Sequence, residues 1–543
     1  MIRMSCRIDG GDFDRGGQAT RRLKEQLARA GVAGPTMRRA MIAAYEAEMN
    51  VVIHARTGTL WARLDSAKLD LEVADEGPGI PDLDLALREG WSTASAKARE
   101  MGFGAGMGLP NIRRNSDLFD IETRIGRGTR IRSTILLTPQ VSPSPAPAHA
   151  AAEEGAGITP ERCRRCLRCI FSCPTGALRV HAAGPVLRTG LCIGCTECIG
   201  ACSSAVYSIR EPAGAECGFR APGEDAVLVV PRAFLASPLA GRSLEHALAA
   251  LAGLGFSEVR FTEEWSDAME REARAESSRG GPVLPLIPPL CPAVTALVES
   301  RFPSLIPNLG RLASPLEAAG EEFPLRPVVL LAACPAQSAS ARGSSLTGRL
   351  TVLSPARLSA ALRAVQTGPA ASAGFAPLQR PALRARRGRP EPLDGELTVS
   401  GARAVMRALA AAEAGALSGA TLLNLRLCEQ GCSGSPLLSP DPFLAELGWR
   451  RLPRILDGAP ASDAGTVRRS RPYTQRAGMR LDVDMASAIR ALGRIDKLTR
   501  ALPGRDCGAC GAPACALFAE DVVMGRVESS ACPHAQGIQE VSP

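Results

Sequence analysis

The chain has 543 residues, a formal net charge of +9 and 18 cysteines; 45% of its residues are hydrophobic but only 4% are aromatic. This length predicts about three or four domains and excludes disorder throughout. No apolar run approaches the roughly 20 residues that span a bilayer, and the N-terminal sequence lacks an apolar signal segment, so we expect a cytoplasmic protein without a membrane interaction. In that reducing compartment, 18 cysteines favour metal or redox chemistry over disulfides.

The positive charge does not predict a nucleic-acid partner. All but four of the 64 cationic residues are arginines, scattered through Ala-, Gly- and Pro-rich sequence. One dense cluster, RARRGRP at 384–390, lies in a Pro-rich stretch without interleaved aromatic residues. The scatter is typical of a composition bias, and the cluster is typical of a solvated linker.

Shifts in composition divide the chain into segments. A Pro/Ala/Ser tract and a second loose stretch cannot pack a core and therefore predict linkers. The predicted segments are a domain at 1–138, a linker at 139–158, domains at 159–211 and 212–456, a linker at 457–482 and a domain at 483–543. The fold class we predict is multidomain α/β and α+β.

The first domain combines a helix, a hairpin and glycine-rich loops. The sequence MRRAMIAAYEAEMNVVIHAR predicts a helix with Glu46, Asn50 and His54 along one stripe. The alternation in TLWARLDSAKLDLEVAD predicts a hairpin whose second strand delivers Asp75 into the turn DEGPGI. Two further loops follow, GFGAGMGLPNI, which opens a helix, and GRGT, which leads into a strand.

In this order the segments resemble the N, G1, G2 and G3 boxes of the GHKL ATPases, specifically the anti-sigma-factor type of serine kinase, over residues 18–138. The resemblance implies a Bergerat α/β sandwich with ATP between helices and a mixed sheet. It implies that Glu46 is the general base, that Asn50 ligates Mg²⁺ and that Asp75 accepts the adenine amino group. The other residues implied to bind ATP and Mg²⁺ are Gly77, Gly79, Gly104, Gly106, Gly108 and Thr129.

The motifs of this first domain, the head, indicate which nucleotide it binds more clearly than which reaction it catalyses. No phosphoacceptor-histidine helix of the two-component kinases precedes the N box, and His54 within the box is typical of a packed or capping histidine. Phosphoryl transfer to Ser or Thr of a partner protein is therefore favoured over autophosphorylation, and ATP binding is favoured over either.

Eight cysteines follow within forty residues as two copies of C-x2-C-x2-C-x3-C. Zinc sites use separated C-x2-C pairs, whereas three cysteines at two-residue gaps with a remote fourth suit the corners of a cubane. The pattern resembles bacterial two-cluster ferredoxins, in which the fourth cysteine of each run crosses to the other cluster. The resemblance implies one [4Fe-4S] cluster on Cys163, Cys166, Cys169 and Cys202, and a second on Cys192, Cys195, Cys198 and Cys173.

Four cysteines with non-local spacing lie in the next domain. The segments PLCPAVTALVESRFPSLIPNL, VVLLAACPAQ and LNLRLCEQGCSGSP resemble the signature segments of the iron-only hydrogenase large subunit. In that family the cysteines hold a [4Fe-4S] cubane, and the last one bridges to a diiron centre; here they are Cys291, Cys334, Cys428 and Cys432. Leu290 replaces the proton-donor cysteine and Gln337 replaces the lysine beside the diiron unit. We therefore expect a hydrogenase-like α/β domain without competent hydrogenase activity; whether it binds a diiron centre is left open.

The last domain has the spacing C-x2-C-x4-C-x16-C, which resembles the small helical [4Fe-4S] domain of electron-transfer subunits and corrinoid proteins; zinc is the alternative. Its cysteines are Cys507, Cys510, Cys515 and Cys532. Sixteen of the 18 cysteines thus form four sets, and Cys6 and Cys217 remain as bystanders. Each oxidised cubane with four thiolates carries about −2, so four would lower the net charge of +9 to about +1.

Three functions are compatible with these segments. The first is a redox-responsive regulator in which three or four [4Fe-4S] clusters control an ATP- and Mg²⁺-dependent Ser/Thr kinase head acting on a protein partner. The second is an electron carrier between redox proteins, in which ATP gates docking. The third, a working hydrogenase, would require a diiron centre with CO and CN⁻ ligands.

Overall fold

A computed structural model of the chain describes, apart from isolated positions inside these ranges, residues 2–93, 106–137, 156–209, 219–235, 250–279, 283–342, 350–367, 394–439, 467–476 and 481–535. Gly104, Cys217, the arginine cluster at 384–390 and most of both predicted linkers lie outside the described residues. The chain forms two compact units. The first is Met1–Pro145, Ala411–Ser418 and Gln475–Pro543, and the second is Ala146–Ala410 and Gly419–Thr474.

The first unit contains a five-stranded sheet covered by helices. Its strands are β1 (Ile2–Asp9), β2 (Thr57–Leu64), β3 (Lys68–Asp75), β4 (Leu118–Arg124) and β5 (Gly128–Leu136), in the order β1-β2-β3-β5-β4. Its helices are α1 (Gln18–Arg29), α2 (Gly34–His54), α3 (Leu83–Ala86), α4 (Gly108–Arg114), α14 (Met485–Ala501) and α15 (Cys515–Val523). This arrangement confirms the α/β sandwich that the sequence predicts.

The sheet differs from the expectation in one respect. A mixed sheet was implied, but every pairing among its described strands is antiparallel. The reason is that β2–β3 and β4–β5 pair as neighbours along the chain, and the crossover from β3 to β5 returns the chain in the opposite direction.

One face of the sheet is apolar because the strands alternate. Every second residue of β1 is buried, from Ile2 to Ile8. Leu23 and Leu27 of α1 pack on the same core, as do residues of α2. Burying such a side chain contributes roughly 2 kcal/mol, and this face holds α2 against the sheet. Residues of α14 and α15 belong to this same hydrophobic core.

The second unit contains two small antiparallel pairs, a four-stranded parallel sheet and a two-stranded parallel sheet. The strands are β6 (Ala156–Ile158), β7 (Leu178–His181), β8 (Gly184–Leu187), β9 (Tyr207–Ile209), β10 (Val227–Val230), β11 (Glu258–Phe261), β12 (Val328–Leu331), β13 (Leu350–Leu353), β14 (Glu396–Ser400) and β15 (Leu422–Arg426). The helices are α5 (Arg168–Ser172), α6 (Glu197–Ala201), α7 (Arg232–Leu235), α8 (Thr262–Ser278), α9 (Pro292–Arg301), α10 (Pro315–Glu322), α11 (Pro335–Arg342), α12 (Pro355–Thr367) and α13 (Ala402–Glu413), whose last three residues cluster with the first unit.

The parallel sheet has the order β11-β10-β12-β13. Its central strands β10 and β12 are buried on both faces, as expected when helices cover a parallel sheet on both sides. Among the described residues, none of the helices is both long and apolar enough to cross a bilayer.

Candidate functional site

A cavity of about 330 Å³ opens in the first unit where α2 faces the end of β3, the start of β5 and the start of α4. The predicted site residues in its wall are Glu46, Asn50, Asp75, Gly79, Gly106, Gly108 and Thr129. Gly77 lies beside the cavity, bonded to Asp75, whereas Gly104 is outside the described residues. The helix, the strand end and the glycine loops therefore converge on one space large enough to receive a small molecule.

Asp75 is fixed by the backbone around it. Its Oδ1 accepts hydrogen bonds from the Gly77 amide at 2.7 Å and the Thr129 amide at 3.2 Å. Burial raises the pKa of Asp75, and the two amides and the nearby His54 oppose that shift. With Oδ1 bonded to these two amides, Oδ2 can accept a hydrogen bond from a donor in the cavity that Asp75 lines.

Glu46 is positioned by a residue that the sequence did not single out. The Asn111 amide nitrogen donates to Glu46 Oε1 at 2.7 Å. Burial raises the pKa of Glu46 above its usual value, while this bond lowers it. A carboxylate with a raised pKa is better matched to proton transfer near neutral pH than an ordinary one. The contact joins α2 to α4, so sequence spacing does not reveal it.

Two glycines allow close approach at this site. Gly79 has a φ of +76°, and a Cβ there would lie 2.4 Å from the Arg124 carbonyl oxygen. A Cβ on Gly108 would lie 3.1 Å from Asn50 Oδ1 and 3.5 Å from Glu46 Oε2. Gly108, the first residue of α4, therefore lies directly against Asn50 and Glu46.

His54 lies in the cavity wall, next to Asp75. Burial lowers the pKa of His54, and the Asp75 carboxylate partly opposes that shift. The histidine is thus part of the lining rather than remote from the site.

The two ferredoxin-like cysteine runs of the second unit interleave. The Cys169 thiol interacts electrostatically with Cys163 and Cys202, whereas the Cys195 thiol interacts with Cys192 and Cys173. The fourth cysteine of each run therefore interacts electrostatically with a cysteine of the other run. Burial, followed by repulsion from neighbouring thiolates, raises the pKa of Cys198 to about 12. Iron(II/III) would relieve that repulsion, so the donor sets fit cubanes.

Tyr207 makes the first of these sets chemically distinct. Its buried hydroxyl donates to Cys169 Sγ at 3.1 Å. Hydrogen bonds to cluster sulfurs stabilise the more negative, reduced state and raise the reduction potential.

We expect Tyr207→Phe to lower the reduction potential of the cluster that includes Cys169. A net contribution of about 1 kcal/mol for one hydrogen bond corresponds to about 40 mV for one electron. A potentiometric titration followed by electron paramagnetic resonance measures the shift. Tyr473→Phe is the control, since Tyr473 contacts Arg469 rather than a predicted cluster ligand. Equal potentials in wild type and Tyr207→Phe would contradict this interpretation.

The hydrogenase-like cysteines also converge. Cys291 and Cys334 directly precede α9 and α11, and Cys428 and Cys432 follow β15. All four line one cavity. Burial raises the pKa of Cys432 to about 11, with a further contribution from Cys291. Four cysteines that are far apart in the sequence therefore line one cavity, and their four sulfurs fit a cubane.

The neighbourhood of Cys432 fits a diiron centre poorly. Gln337 accepts from the Ala333 amide at 2.7 Å and donates its own amide to Cys432 Sγ at 3.3 Å. The sulfur that would bridge to a diiron unit therefore already accepts a hydrogen bond. Leu290 is 2% exposed and apolar. Neither residue supplies an ionisable proton or a positive charge; the positive charge in this cavity belongs to Arg426, which interacts with Cys432.

One ferredoxin-like cysteine reaches the hydrogenase-like set. Cys195 lines the same cavity as Cys334 and Cys428. The Ala336 amide donates to the Gly194 carbonyl at 3.3 Å, which fixes the two loops together. Clusters on these sets would be close neighbours inside one unit.

Three cysteines of the C-terminal set interact near the start of α15. Cys510 is electrostatically close to Cys532 and Cys515. Asp506, which has a φ of 47°, accepts a hydrogen bond from the Cys515 amide at 2.6 Å. This turn brings Cys507 and the first residue of α15 to the same loop, so the donor set suits a four-iron cluster.

Four family models match separate parts of the chain. They are "Histidine kinase-, DNA gyrase B-, and HSP90-like ATPase" at 38–139, "4Fe-4S dicluster domain" at 156–203, "Iron only hydrogenase large subunit, C-terminal domain" at 231–323 and "Putative Fe-S cluster" at 502–534. The resemblances that the sequence motifs indicated are confirmed in the same order. The hydrogenase match includes Cys291 but ends before the other three cysteines of that set.

Two curated relatives each match 16% of the chain. The serine/threonine-protein kinase RsbT of Bacillus subtilis is 32% identical over 92 residues, which are 16% of this chain and 63% of that protein. The anti-sigma F factor of Thermoanaerobacter sp. (strain X514) is 32% identical over 94 residues, 16% of this chain and 62% of the relative. The chain therefore spans less than two thirds of these relatives.

Solved structures also show similarity. The [FeFe]-hydrogenase HydA1 of Chlamydomonas reinhardtii aligns with a TM-score of 0.32 at 16% identity, over 50% of this chain and 94% of that one. Another [FeFe]-hydrogenase structure aligns with a TM-score of 0.31 at 15% identity, over 49% of this chain and 96% of the other. From the family models, the chain joins an ATP-binding GHKL domain to two [4Fe-4S] regions and a hydrogenase-like domain.

Proposed function

We propose that this chain is a redox-responsive regulatory protein of the cytoplasm, whose ATP-binding head phosphorylates Ser or Thr of a partner protein under control of its [4Fe-4S] clusters. The observation that carries the proposal is the convergence of Glu46, Asn50 and Asp75 on one cavity, in a chain that also brings together four sets of cysteines. The kinase named among the relatives supports the choice of reaction.

The residues of the cavity have separate tasks. Asp75 binds the adenine amino group through Oδ2, and the loop at Gly106 and Gly108 receives the phosphates. Asn50 would hold Mg²⁺, which would neutralise charge on the phosphate oxygens.

Glu46 removes the proton of the attacking hydroxyl. The hydroxyl oxygen forms a bond to the γ-phosphorus as the bond to the ADP oxygen breaks, so the products are a phosphorylated side chain, ADP and a protonated Glu46. Asn111 holds Glu46 for this transfer through its hydrogen bond to Oε1.

For the clusters we propose the crossed assignment. One ferredoxin-like cluster takes Cys163, Cys166, Cys169 and Cys202, and the other takes Cys192, Cys195, Cys198 and Cys173. The remaining sets are Cys291, Cys334, Cys428 and Cys432, and Cys507, Cys510, Cys515 and Cys532. The interleaved positions of Cys173 and Cys202 support the crossing.

The crossed assignment predicts the result of Cys173→Ser. This change should damage the cluster of Cys192, Cys195 and Cys198, and should leave the potential of the Tyr207-bonded cluster unchanged. Iron analysis and Mössbauer spectra of anaerobically prepared protein would show about one cluster fewer or a three-iron species. Damage to the cluster of Cys169 instead would favour uncrossed ligation.

The regulatory function is tested by an anaerobic kinase assay with labelled ATP on a cell extract at two redox poises. The expected result is a labelled Ser or Thr in a protein whose labelling rate differs between dithionite-reduced and air-oxidised preparations. One labelling rate in both states would refute redox control, and no labelled protein would refute the kinase.

A second candidate is an electron carrier in which ATP gates docking. The observation that favours it is the shared cavity of Cys195, Cys334 and Cys428, since neighbouring clusters normally form an electron path. Rapid electron delivery to a redox protein, accelerated by ATP and without a phosphoprotein product, would support this function over the kinase.

A further inference from the structure

The C-terminal cysteine module and the ATP-binding head share one hydrophobic core. Ile489, Leu492 and Ile495 of α14 and Phe518 of α15 are buried in the same cluster as the apolar residues of β1, α1 and α2. α14 contacts both β1 and α1. The sequence predicts a separate C-terminal domain behind a linker, but within this unit its helices complete the core of the head.

A buried ion pair ties the module to the last residue of α1. Arg29 pairs with Glu520 of α15, and their side chains are only 14% and 11% exposed. The Arg29 carbonyl also accepts a hydrogen bond from the Leu481 amide at 3.3 Å. Breaking one partner of a buried pair is costly because the other charge is left uncompensated. The position of α15 therefore constrains the C-terminal end of α1.

The opposite end of α1 is tied to the nucleotide-binding helix. Glu48 of α2 is 2% exposed, and its carboxylate accepts the Ala19 and Thr20 amides at 3.0 and 2.9 Å. It also accepts the Thr20 hydroxyl at 2.7 Å. Glu48 thus caps the first turn of α1, where an anion is favourable. In the sequence it lies between Glu46 and Asn50, two of the α2 residues that line the cavity.

The cysteines lie at the other end of this chain of contacts. Cys515 is the first residue of α15, five positions before Glu520, and Cys532 belongs to the shared core. A cluster on the C-terminal set would therefore fix the start of α15 and, through Glu520, the ion pair with Arg29. Without that cluster, the loop of Cys507 and Cys510 has no covalent connection to α15 beyond the backbone.

We propose that the C-terminal cluster sets the affinity of the head for ATP, with α1 as the connecting element between α15 and the nucleotide-binding helix α2. The inference rests on the proposed function in that it names the cysteine set through which iron–sulfur chemistry controls the ATP site. Coupling between two sites typically changes affinity about five- to 150-fold, so we expect an effect of at least about fivefold.

The test compares two cysteine variants of the full chain, prepared anaerobically and reconstituted with iron and sulfide. Cys510→Ser removes a ligand from the C-terminal set, and the matched control Cys166→Ser removes one from the ferredoxin-like runs. Calorimetry with a non-hydrolysable ATP analogue measures affinity, and hydrogen exchange reports on α1 and α2. The expected result is at least about fivefold weaker binding and faster exchange in both helices for Cys510→Ser only.

A second pair of variants leaves all cysteines in place. Glu520→Gln removes the charge that faces Arg29, and Glu528→Gln is an exposed control on the same module. Glu520→Gln should keep the wild-type iron content, bind the analogue more weakly and loosen α1, whereas Glu528→Gln should match wild type.

Wild-type affinity in Cys510→Ser and Glu520→Gln, or equal losses in Cys510→Ser and Cys166→Ser, would overturn the inference. Nucleotide affinity is read without any protein partner. A failure to find a phosphorylated protein would therefore refute the kinase function and leave this inference standing. Unchanged nucleotide affinity in the variants would refute this inference and leave the kinase function standing.

Discussion

Glu46→Gln is expected to lower the rate of phosphoryl transfer to the partner by about 10²–10⁴ while ATP affinity stays close to that of wild type. Glutamine cannot accept the proton of the attacking hydroxyl. It retains a carbonyl oxygen for the Asn111 amide, so the link between α2 and α4 should survive. Single-turnover transfer of labelled phosphate measures the rate, and calorimetry measures the affinity.

The pH profile separates a chemical role from a structural one. Because burial raises the pKa of Glu46 above 4.5, the basic form is lost as the pH falls through that raised value. The wild-type rate should therefore decrease as the pH falls through that pKa and reach its full value at higher pH. Glu46→Gln should abolish this decrease at low pH. A variant with wild-type rates would show that another group takes the proton.

Asp75→Asn is expected to weaken ATP binding by about 10- to 100-fold. A hydrogen bond to a charged acceptor contributes about 1.5–3 kcal/mol, and the amide introduces a donor that can face the adenine amino group. The Gly77 and Thr129 amides can still bond to the remaining carbonyl oxygen, so the loop should keep its shape. Calorimetric titration with ATP and with GTP measures both affinity and base preference.

Asp84→Asn is the matched control, because Asp84 is exposed in the first turn of α3 and is not among the cavity residues described above. It should bind ATP as the wild type does. If Asp75→Asn kept both the affinity and the preference for ATP over GTP, the assignment of adenine recognition to Asp75 would be wrong.

The convergence of these residues of the head on one cavity was predictable because it depends on short-range patterns. Glu46 and Asn50 lie on one face of α2 because they are one helical turn apart, and Asp75 follows its strand into a glycine turn. These patterns brought the predicted residues to one cavity. Asn111 was not predictable, because its bond to Glu46 joins residues 65 positions apart and has no signature in spacing.

The association of the two ends of the chain was equally hidden. The pair Arg29 and Glu520 joins residues 491 positions apart, and each alone is an ordinary charge near a helix end. The loose composition before α14 suggested an independent module. The shared core arises from apolar faces whose partner cannot be read from their own periodicity.

The shared core also has a consequence for how the protein is made. β1 leaves the ribosome long before α14, which packs against it and begins only at Met485. At about 5–20 residues per second, the interval from Asp9 to Met485 takes on the order of half a minute to a minute and a half. During translation the apolar edge of the head therefore remains uncovered and available to chaperones. A chain released before Met485 would leave that edge exposed, so the core of the head is complete only once α14 has been synthesised.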